Sequence, residues 1–368
     1  MPVTKLPSKD SPLAQEIIAD YRAGKVEMLW RKWKYQNRTT FVNAMRDVYG
    51  VRISDVEVTP ESVEEEQPLI VNLPPIKLRE YKAGKRKRGD EEEAILHCSD
   101  GHAGKITESY DEDVYRTRMD ALFDATMTIV TLHRNMYPIR KLHIFATGDN
   151  VQGENPFQGS KVGTIKEGAR DQTAYVAYPA WVKLIGSLAQ EFEIIELEGI
   201  GGNHSYSKLA PETSREDYRL YDLLQAYFHD KKRIKINIHT RFQAIVNVMG
   251  FQCFLFHGDD IPCQQGVPFF ALDKKLKAWY MQYRGFQYAF SGHFHKRHSD
   301  GISSRLEYFM CSTLVSDDDW ALKKLGISSN PSQSIYGIHP HYGVTWRYAL
   351  QVDDKFLPEA MPKVEELK

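Results

Sequence analysis

The chain lacks the features of a membrane protein, of a disulfide-stabilised scaffold and of a protein that binds polyanions through its overall charge. No apolar run approaches the length needed to span a bilayer, and the start, MPVTKLPSKDSP, lacks the apolar core of a signal peptide. Its 4 cysteines are scattered without a CxxC spacing, which provides no disulfide framework and argues against a structural zinc knuckle. The net charge is only −1, so any nucleic-acid preference must lie in a local patch. We expect a cytoplasmic protein with reduced thiols and no membrane partner.

Residues 1–55 predict a small all-α module of the helix-turn-helix kind. Ser11 and Pro12 are typical of a helix start, and further helices are expected over 26–33 and from Thr39 or Thr40 to Gly50. Cations alternate here with tryptophans, which fits either a nucleic-acid surface or a solvated basic face around a small core. The candidate nucleic-acid contacts are Arg31, Lys32, Lys34 and Arg38.

The next segment, 56–93, mixes acidic runs, prolines and a basic run, as a charged linker does. From 94 to 350 the pattern becomes α/β, and 351–368 is left as a C-terminal tail. Helical periodicity spans 111–135 and 174–192. Short apolar runs predict five strands, at Ala94–Cys98, Lys141–Thr147, Ile194–Gly199, Cys253–Phe256 and Tyr288–Phe290.

Each of these five runs is followed by side chains of the kind that bind metals. They are Asp100 and His102, then Asp149, then Asn203 and His204, then His257, and finally His293 and His295. Strand ends are where ligands collect in α/β domains, and the adjoining glycines allow sharp turns and close approach. Carboxylate, imidazole and amide oxygen without thiolate suit manganese, iron or zinc rather than a cysteine-rich zinc site. An aspartate that bridges two such ions would favour phosphoryl displacement.

In order along the chain, the motifs D-x-H, G-D, G-N-H, H-G and G-H-x-H resemble those of the calcineurin-like metallophosphoesterase superfamily, and its nuclease-like branch in particular. The resemblance implies two β-sheets flanked by helices, with two divalent ions at the strand ends. Mn2+ is the ion expected first, with Fe, Zn or Mg as alternatives.

The resemblance also implies a role for each motif residue. Asp149 would bridge the ions, a metal-bridging hydroxide would attack phosphorus in line, and His204 would protonate the leaving oxygen. The first ion would be held by Asp100, His102 and His295, and the second by Asn203, His257 and His293.

One departure from the family concerns the residue after G-N-H. The family usually has an acidic residue there that orients the catalytic histidine, whereas this chain has Ser205. Ser205 itself, or a distant carboxylate such as Asp217, would have to take over that role.

Three hypotheses for the substrate follow. The first is a phosphodiesterase acting on nucleic acid, DNA rather than RNA, with Arg170, Lys208 and Arg215 as candidate substrate contacts. The second is a phosphatase or phosphodiesterase for a small nucleotide or phosphoprotein, in which the N-terminal module docks a protein partner. The third is a non-catalytic DNA-binding or scaffold protein.

Overall fold

The computed structural model separates the chain into two compact units, Met1–Leu69 and Ile70–Lys368. It describes residues 6–23, 25–26, 29, 32–33, 38–52, 71, 73–79, 91–154, 163–205, 211–262, 268–317 and 331–353.

Two helices are described in the first unit. Helix α1, Pro12–Arg22, begins as predicted, because the Ser11 hydroxyl accepts a hydrogen bond from the Ala14 N–H at 3.1 Å. Helix α2, Arg38–Tyr49, starts ahead of both threonines that were expected to cap it, so that cap prediction is wrong. The two helices share a small apolar core in which Tyr21 lies against Phe41, with ring centroids 6.1 Å apart.

The basic residues of this unit are only partly described. Lys32 is exposed, whereas Arg31, Lys34 and most of the helix expected over 26–33 lie outside the described residues, as does the side chain of Arg38. The nucleic-acid contacts and the helix-turn-helix assignment therefore stay predictions.

The second unit is built on two β-sheets. The six-stranded sheet has the order β11-β10-β1-β2-β3-β4, with β1 to β4 parallel and β10 and β11 antiparallel. The five-stranded sheet has the order β5-β6-β7-β9-β8, with β6, β7 and β9 parallel. The strands are β1 Glu92–Cys98, β2 Ile139–Ala146, β3 Ile194–Ile200, β4 Ile234–His239, β5 Gln243–Val248, β6 Phe251–Phe256, β7 Tyr288–Ser291, β8 His298–Ser303, β9 Leu306–Met310, β10 Ser332–His339 and β11 Gly343–Gln351.

Helices cover the outer faces of both sheets. Helices α3 (Glu112–His133), α4 (Tyr178–Glu191) and α5 (Glu216–Tyr227) pack on the six-stranded sheet, and α6 (Phe269–Gln282) packs on the other. A third apolar cluster, which includes Phe290, fills the space between the sheets. The two-sheet α/β prediction is thus confirmed. The start of the helix expected over 174–192 differs, because 172–177 form a wider π-helical segment before α4.

Residues 73–79, within the stretch expected to be a linker, belong to the second unit and pack against its helix α4. Ile76 lies against α4 so closely that a Cβ at Gly186 would be 2.1 Å from its Cδ1. The Gln190 side chain accepts from the Arg79 N–H at 2.9 Å and donates to the Lys77 carbonyl at 3.2 Å. This part of the stretch therefore follows the domain surface.

Three cysteines of the described chain, Cys98, Cys253 and Cys311, are buried free thiols, as expected for reduced cysteines. Beyond β11, Asp353 pairs with Arg118 at 2.5 Å, and the rest of the predicted tail, 354–368, lies outside the described residues. No described helix is both long and apolar enough to cross a membrane.

Candidate metal centre

Five loops meet at one end of the two-sheet sandwich. Strands β1, β2 and β3 run parallel, so their carboxyl ends lie on one edge, and β6 and β7 do the same in the other sheet. All seven predicted ligands lie in the turns that follow these strands, and the structure brings them together in overlapping groups.

The first group contains Asp100, His102 and His295. The Nε2 atoms of His102 and His295 are 2.9 Å apart, and Asp100 Oδ1 lies 3.8 Å from the former and 3.5 Å from the latter. Asp100 Oδ1 is buried and has no hydrogen-bond partner among the described residues. A buried carboxylate oxygen that faces two imidazole nitrogens fits a divalent cation, because the ion would bind the oxygen and both nitrogens together.

The second group contains Asp149, Asn203, His257 and His293. His257 Nε2 lies 3.0 Å from Asp149 Oδ2 and 2.9 Å from Asn203 Oδ1, which is also 3.0 Å from His293 Nδ1. Asp149 also groups with His102 on its other side. It therefore occupies the position between the two groups that a bridging carboxylate needs.

Backbone strain is concentrated in these turns. Five of the seven predicted ligands have left-handed backbone conformations, and each such residue costs about 1 to 2 kcal/mol. Their φ values are 52° at Asp100, 48° at His102, 53° at Asp149, 69° at His293 and 52° at His295. Strain of this kind persists where the surrounding structure enforces it, and it is typical of functional sites.

Two glycines let the loops pass one another closely. A Cβ at Gly292 would lie 1.8 Å from Ser99 Oγ and 2.3 Å from Asp100 Oδ2, and a Cβ at Gly202 would lie 2.1 Å from Asp149 Oδ1. Any larger residue would displace the carboxylates, so these glycines serve the close approach expected from the sequence.

Burial sets the protonation of most of the histidines. It lowers the pKa of His102 well below its usual value and the pKa of both His204 and His293 to about 4. These rings are neutral near pH 7, the form that binds a metal.

The pKa of His257 shifts in the opposite direction. Burial alone would lower its pKa, but the negative charges of Asp149 and Asp100 outweigh burial and raise it to about 10. Burial likewise opposes ionisation of Asp149, yet His257 and His204 hold the pKa of that carboxyl well below its usual range. Without metal, His257 and Asp149 form a buried ion pair, in which a divalent cation could replace the proton.

His204 lies beside both groups. Its ring centroid is 4.2 Å from that of His102, and its backbone N–H donates to Asp149 Oδ1 at 2.8 Å. Its Nδ1 lies 3.3 Å from the carbonyl oxygen of Gln152, while Nε2 is 3.9 Å from Asp149 Oδ2. A backbone carbonyl thus orients this ring.

The two residues expected to orient His204 are engaged elsewhere. The Ser205 hydroxyl accepts from the Glu216 N–H at 2.9 Å, at the start of α5. The buried Asp217 carboxylate accepts from the Asn150 N–H at 2.9 Å and the Gly202 N–H at 2.8 Å, so it ties the loop after β2 to the loop after β3. Because these hydrogen bonds go to backbone groups and not to the His204 ring, they lend no support to the expected role of Ser205 or Asp217, which stays a prediction.

The predicted substrate contacts occupy different environments. Arg215 Nη1 donates to the Gly202 carbonyl at 2.6 Å and so braces the loop that carries His204. Arg170 is exposed on the short helical turn Ala169–Asp171, and Lys208 lies outside the described residues.

Sequence reasoning missed Lys105. It is only 8% exposed, and its charge contributes to the lowered pKa of both His102 and His204, after burial as the main cause. Its position three residues after His102 was the signal that could have identified it as a cation beside the site.

No family model matches the chain, and a search of curated proteins finds no match either. Similar solved structures include a conserved uncharacterized protein, a predicted phosphoesterase, from Streptococcus pneumoniae TIGR4. It is 9% identical over 71% of this chain and 99% of that chain, with a TM-score of 0.28. Wild-type Vps29 complexed with Zn2+ from Entamoeba histolytica is 11% identical over 70% of this chain and 99% of that chain, with a TM-score of 0.30.

A third similar structure is the 5'-nucleotidase from Candida albicans SC5314. It is 10% identical over 74% of this chain and 54% of that chain, with a TM-score of 0.34. At such low identities and TM-scores, these similarities do not decide what the chain does, so the residues of the site have to carry the proposal.

Proposed function

We propose that the second unit is a dinuclear metal-dependent phosphoesterase. The observation that carries this proposal is the position of Asp149, whose carboxylate lies between an Asp100–His102–His295 group and an Asn203–His257–His293 group. Two divalent ions, when bound there, would activate water and neutralise charge on a phosphoryl group. Mn2+ is the ion we propose, with Fe, Zn or Mg as alternatives, because the ligands combine oxygen and imidazole nitrogen without thiolate.

The chain's own residues position the remaining chemistry. The Gln152 carbonyl accepts a hydrogen bond from Nδ1–H of His204, so Nε2 of the neutral ring is unprotonated. Nε2 can donate a proton to a leaving oxygen only after the negative charge of a bound phosphate has raised the pKa of the ring from about 4. Lys105 adds a positive charge beside the same ring. Both features suit a substrate whose negative charge increases during the reaction.

For the substrate, we propose the phosphodiester backbone of nucleic acid, DNA rather than RNA. The support is the basic sequence of the first unit, in which Arg31, Lys32, Lys34 and Arg38 alternate with tryptophans. Cleavage of a small nucleotide or a phosphoprotein alone would favour the alternative in which the first unit docks a protein partner.

Asp149→Asn provides the first test. With Mn2+, the wild-type chain should hydrolyse an aryl phosphodiester and DNA. The variant should lose activity on both substrates by more than about 100-fold, because replacing a residue that only supports a metal ligand typically costs about 10- to 100-fold. Asp222→Asn, on the exposed face of α5, is the matched control and should retain activity. Steady-state rates measure both variants, and unchanged rates in Asp149→Asn would refute the bridging assignment.

The substrate is tested by replacing Arg31, Lys32, Lys34 and Arg38 together with alanine in the full chain. DNA cleavage should weaken and become less dependent on salt, while aryl-ester turnover persists. A wild-type chain that cleaves the aryl ester but no nucleic acid would favour the small-substrate alternative. No hydrolysis of any substrate with Mn2+ would favour a non-catalytic role.

A further inference from the structure

A groove of about 460 Å³ lies between an edge of the five-stranded sheet and an edge of the six-stranded sheet of the second unit. One wall comes from β8, the edge strand of the five-stranded sheet, and the other from β10 and β11 of the six-stranded sheet. The residues that define its chemistry are Arg297, His298, Ser299, Ser334, Tyr336 and Arg347.

The groove is positively charged. None of its lining residues is acidic, and neither Arg297 nor Arg347 forms an ion pair with any described residue. Arg347 Nη1 donates to Ser299 Oγ at 3.2 Å, so its guanidinium crosses from one sheet edge to the other. Two guanidinium groups that have no carboxylate partner among the described residues repel each other across one small volume, and an anion placed there would relieve that repulsion.

The guanidinium charges of Arg297 and Arg347 both act on the phenol of Tyr336. Burial raises the pKa of its phenol, and both Arg347 and Arg297 oppose that rise from their positions beside it. Asp300, the carboxylate on β8, opposes the lowering of the His298 pKa by burial, but it does not line the groove.

Both walls of the groove adjoin residues of the metal centre. Arg297 follows the predicted ligand His295 by two residues, so their Cα atoms are at most roughly 7 Å apart. On the opposite wall, Ser334 follows Gln333, whose Oε1 accepts from the Ser99 N–H at 2.7 Å, next to Asp100. Both walls of the groove therefore begin within a few residues of the metal centre, so one extended strand is long enough to contact both.

We propose that this groove binds the phosphodiester backbone of a nucleic-acid strand next to the phosphate that is hydrolysed. Arginine forks match phosphate oxygens in pairs, and one arginine from each sheet edge can hold consecutive phosphates of an extended strand. The inference rests on the proposed function, since it names the part of the same site that holds the rest of the substrate.

The test compares the full chain with Arg297→Ala, Arg347→Ala and the double variant. Binding of a fluorescein-labelled single-stranded DNA is followed by anisotropy in EDTA, so that no turnover is needed. The double variant should raise Kd by at least about tenfold, and its plot of log affinity against log salt should be shallower by about 1.4 for two lost phosphate contacts. Arg305→Ala, exposed in the β8–β9 turn, is the matched control and should change neither quantity.

Further variants separate charge from folding. Replacing both arginines with lysine should largely keep the salt slope, because the charges remain. Arg297→Ala has no described side-chain hydrogen bond to lose, so it should weaken binding without lowering the thermal unfolding temperature. Turnover of a small aryl phosphodiester with Mn2+ should be unchanged in every groove variant.

The outcomes separate this inference from the proposed function. If the wild-type protein and the double variant bind and cleave DNA equally well, with the same salt slope, the proposed role of the groove in DNA binding is refuted. The proposed function then stands. If wild-type protein hydrolyses the aryl ester but neither binds nor cleaves any nucleic acid, the proposed substrate and the groove fail together.

Discussion

His204 shows how a single residue can keep its place while its supporting contact changes. The G-N-H motif fixes it one residue after Asn203, and its backbone N–H contacts Asp149. The family resemblance implied a carboxylate behind its ring, whereas the structure supplies the Gln152 carbonyl. A carbonyl can hold the ring in one orientation, but it stabilises a protonated ring less than a carboxylate does.

Replacing His204 with alanine should therefore affect substrates unequally. A poor leaving group needs a proton at the departing oxygen, so kcat should fall by about 10²- to 10⁴-fold with DNA and far less with an activated aryl ester. Single-turnover rates on the two substrates measure the difference. Equal losses on both would show that His204 acts as a structural contact.

At the scale of elements, the turns after the five strands form the site together. Several of the ligands are strained, so each turn depends on its neighbours to hold it. Asp217 joins two of these turns through backbone donors at Asn150 and Gly202. Gly292 lets a third turn pass against Ser99 and Asp100.

Gly292→Ala should damage the site through this close approach. The added Cβ would overlap Ser99 Oγ and Asp100 Oδ2, so we expect a loss of about 1 to 3 kcal/mol in unfolding free energy and weaker Mn2+ binding. Denaturant unfolding and metal titration measure these effects.

Gly301→Ala, on β8, is the matched control for that substitution. A Cβ there would meet nothing within 4 Å, so the change should be within about 0.5 kcal/mol. Equal effects of the two substitutions would show that the close approach at Gly292 does not matter.

At the scale of the whole molecule, the site joins the two sheets. Asp100, Asp149 and Asn203 follow strands of the six-stranded sheet, and His257 and His293 follow strands of the other. Bound ions would link the sheets at one end, and a ligand that binds only the folded chain stabilises it.

Mn2+ should therefore raise the thermal unfolding temperature, with about 2.7 kcal/mol of stabilisation at a free concentration 100 times Kd. At a fixed free concentration of Mn2+, the increment should grow from pH 6 to pH 8. His257, with its pKa raised to about 10, is protonated in the metal-free chain and must release that proton to bind.

For the metal-free chain, stability changes with pH in the opposite direction. There, the raised pKa of His257 adds stability that is fully present below pH 6.5 and is lost as the pH rises toward 10. Calorimetry at several pH values measures both trends. Asp149→Asn should abolish the Mn2+ increment, and an increment independent of pH would contradict the proton release.

Local patterns were enough to predict much of this molecule. All five predicted strands that precede a ligand motif exist, and the ligands follow them directly. The Ser11 cap and the Asp111–Asn135 helix also follow from local chemistry, since Asp111 caps α3 by accepting from the Val114 N–H at 2.9 Å.

Apart from the starts of α2 and α4, the errors and omissions concern contacts between distant parts of the chain. Residues 73–79 have the composition of a linker, yet they pack on α4 because Ile76 reaches a face opened by Gly186. The strands β8, β10 and β11 carry no motif, so the sequence did not predict the groove between Arg297 and Arg347.

The sequence by itself determined which side chains the site would contain, because residue type sets ligand chemistry and strand periodicity sets where each turn falls. Only the tertiary structure decided how they meet: which sheet supplies each ligand, that Gln152 orients His204, and that Arg297 and Arg347 face one groove. The reason is physical. These contacts join residues up to 195 positions apart, as between Asp100 and His295, and no local pattern encodes such pairings.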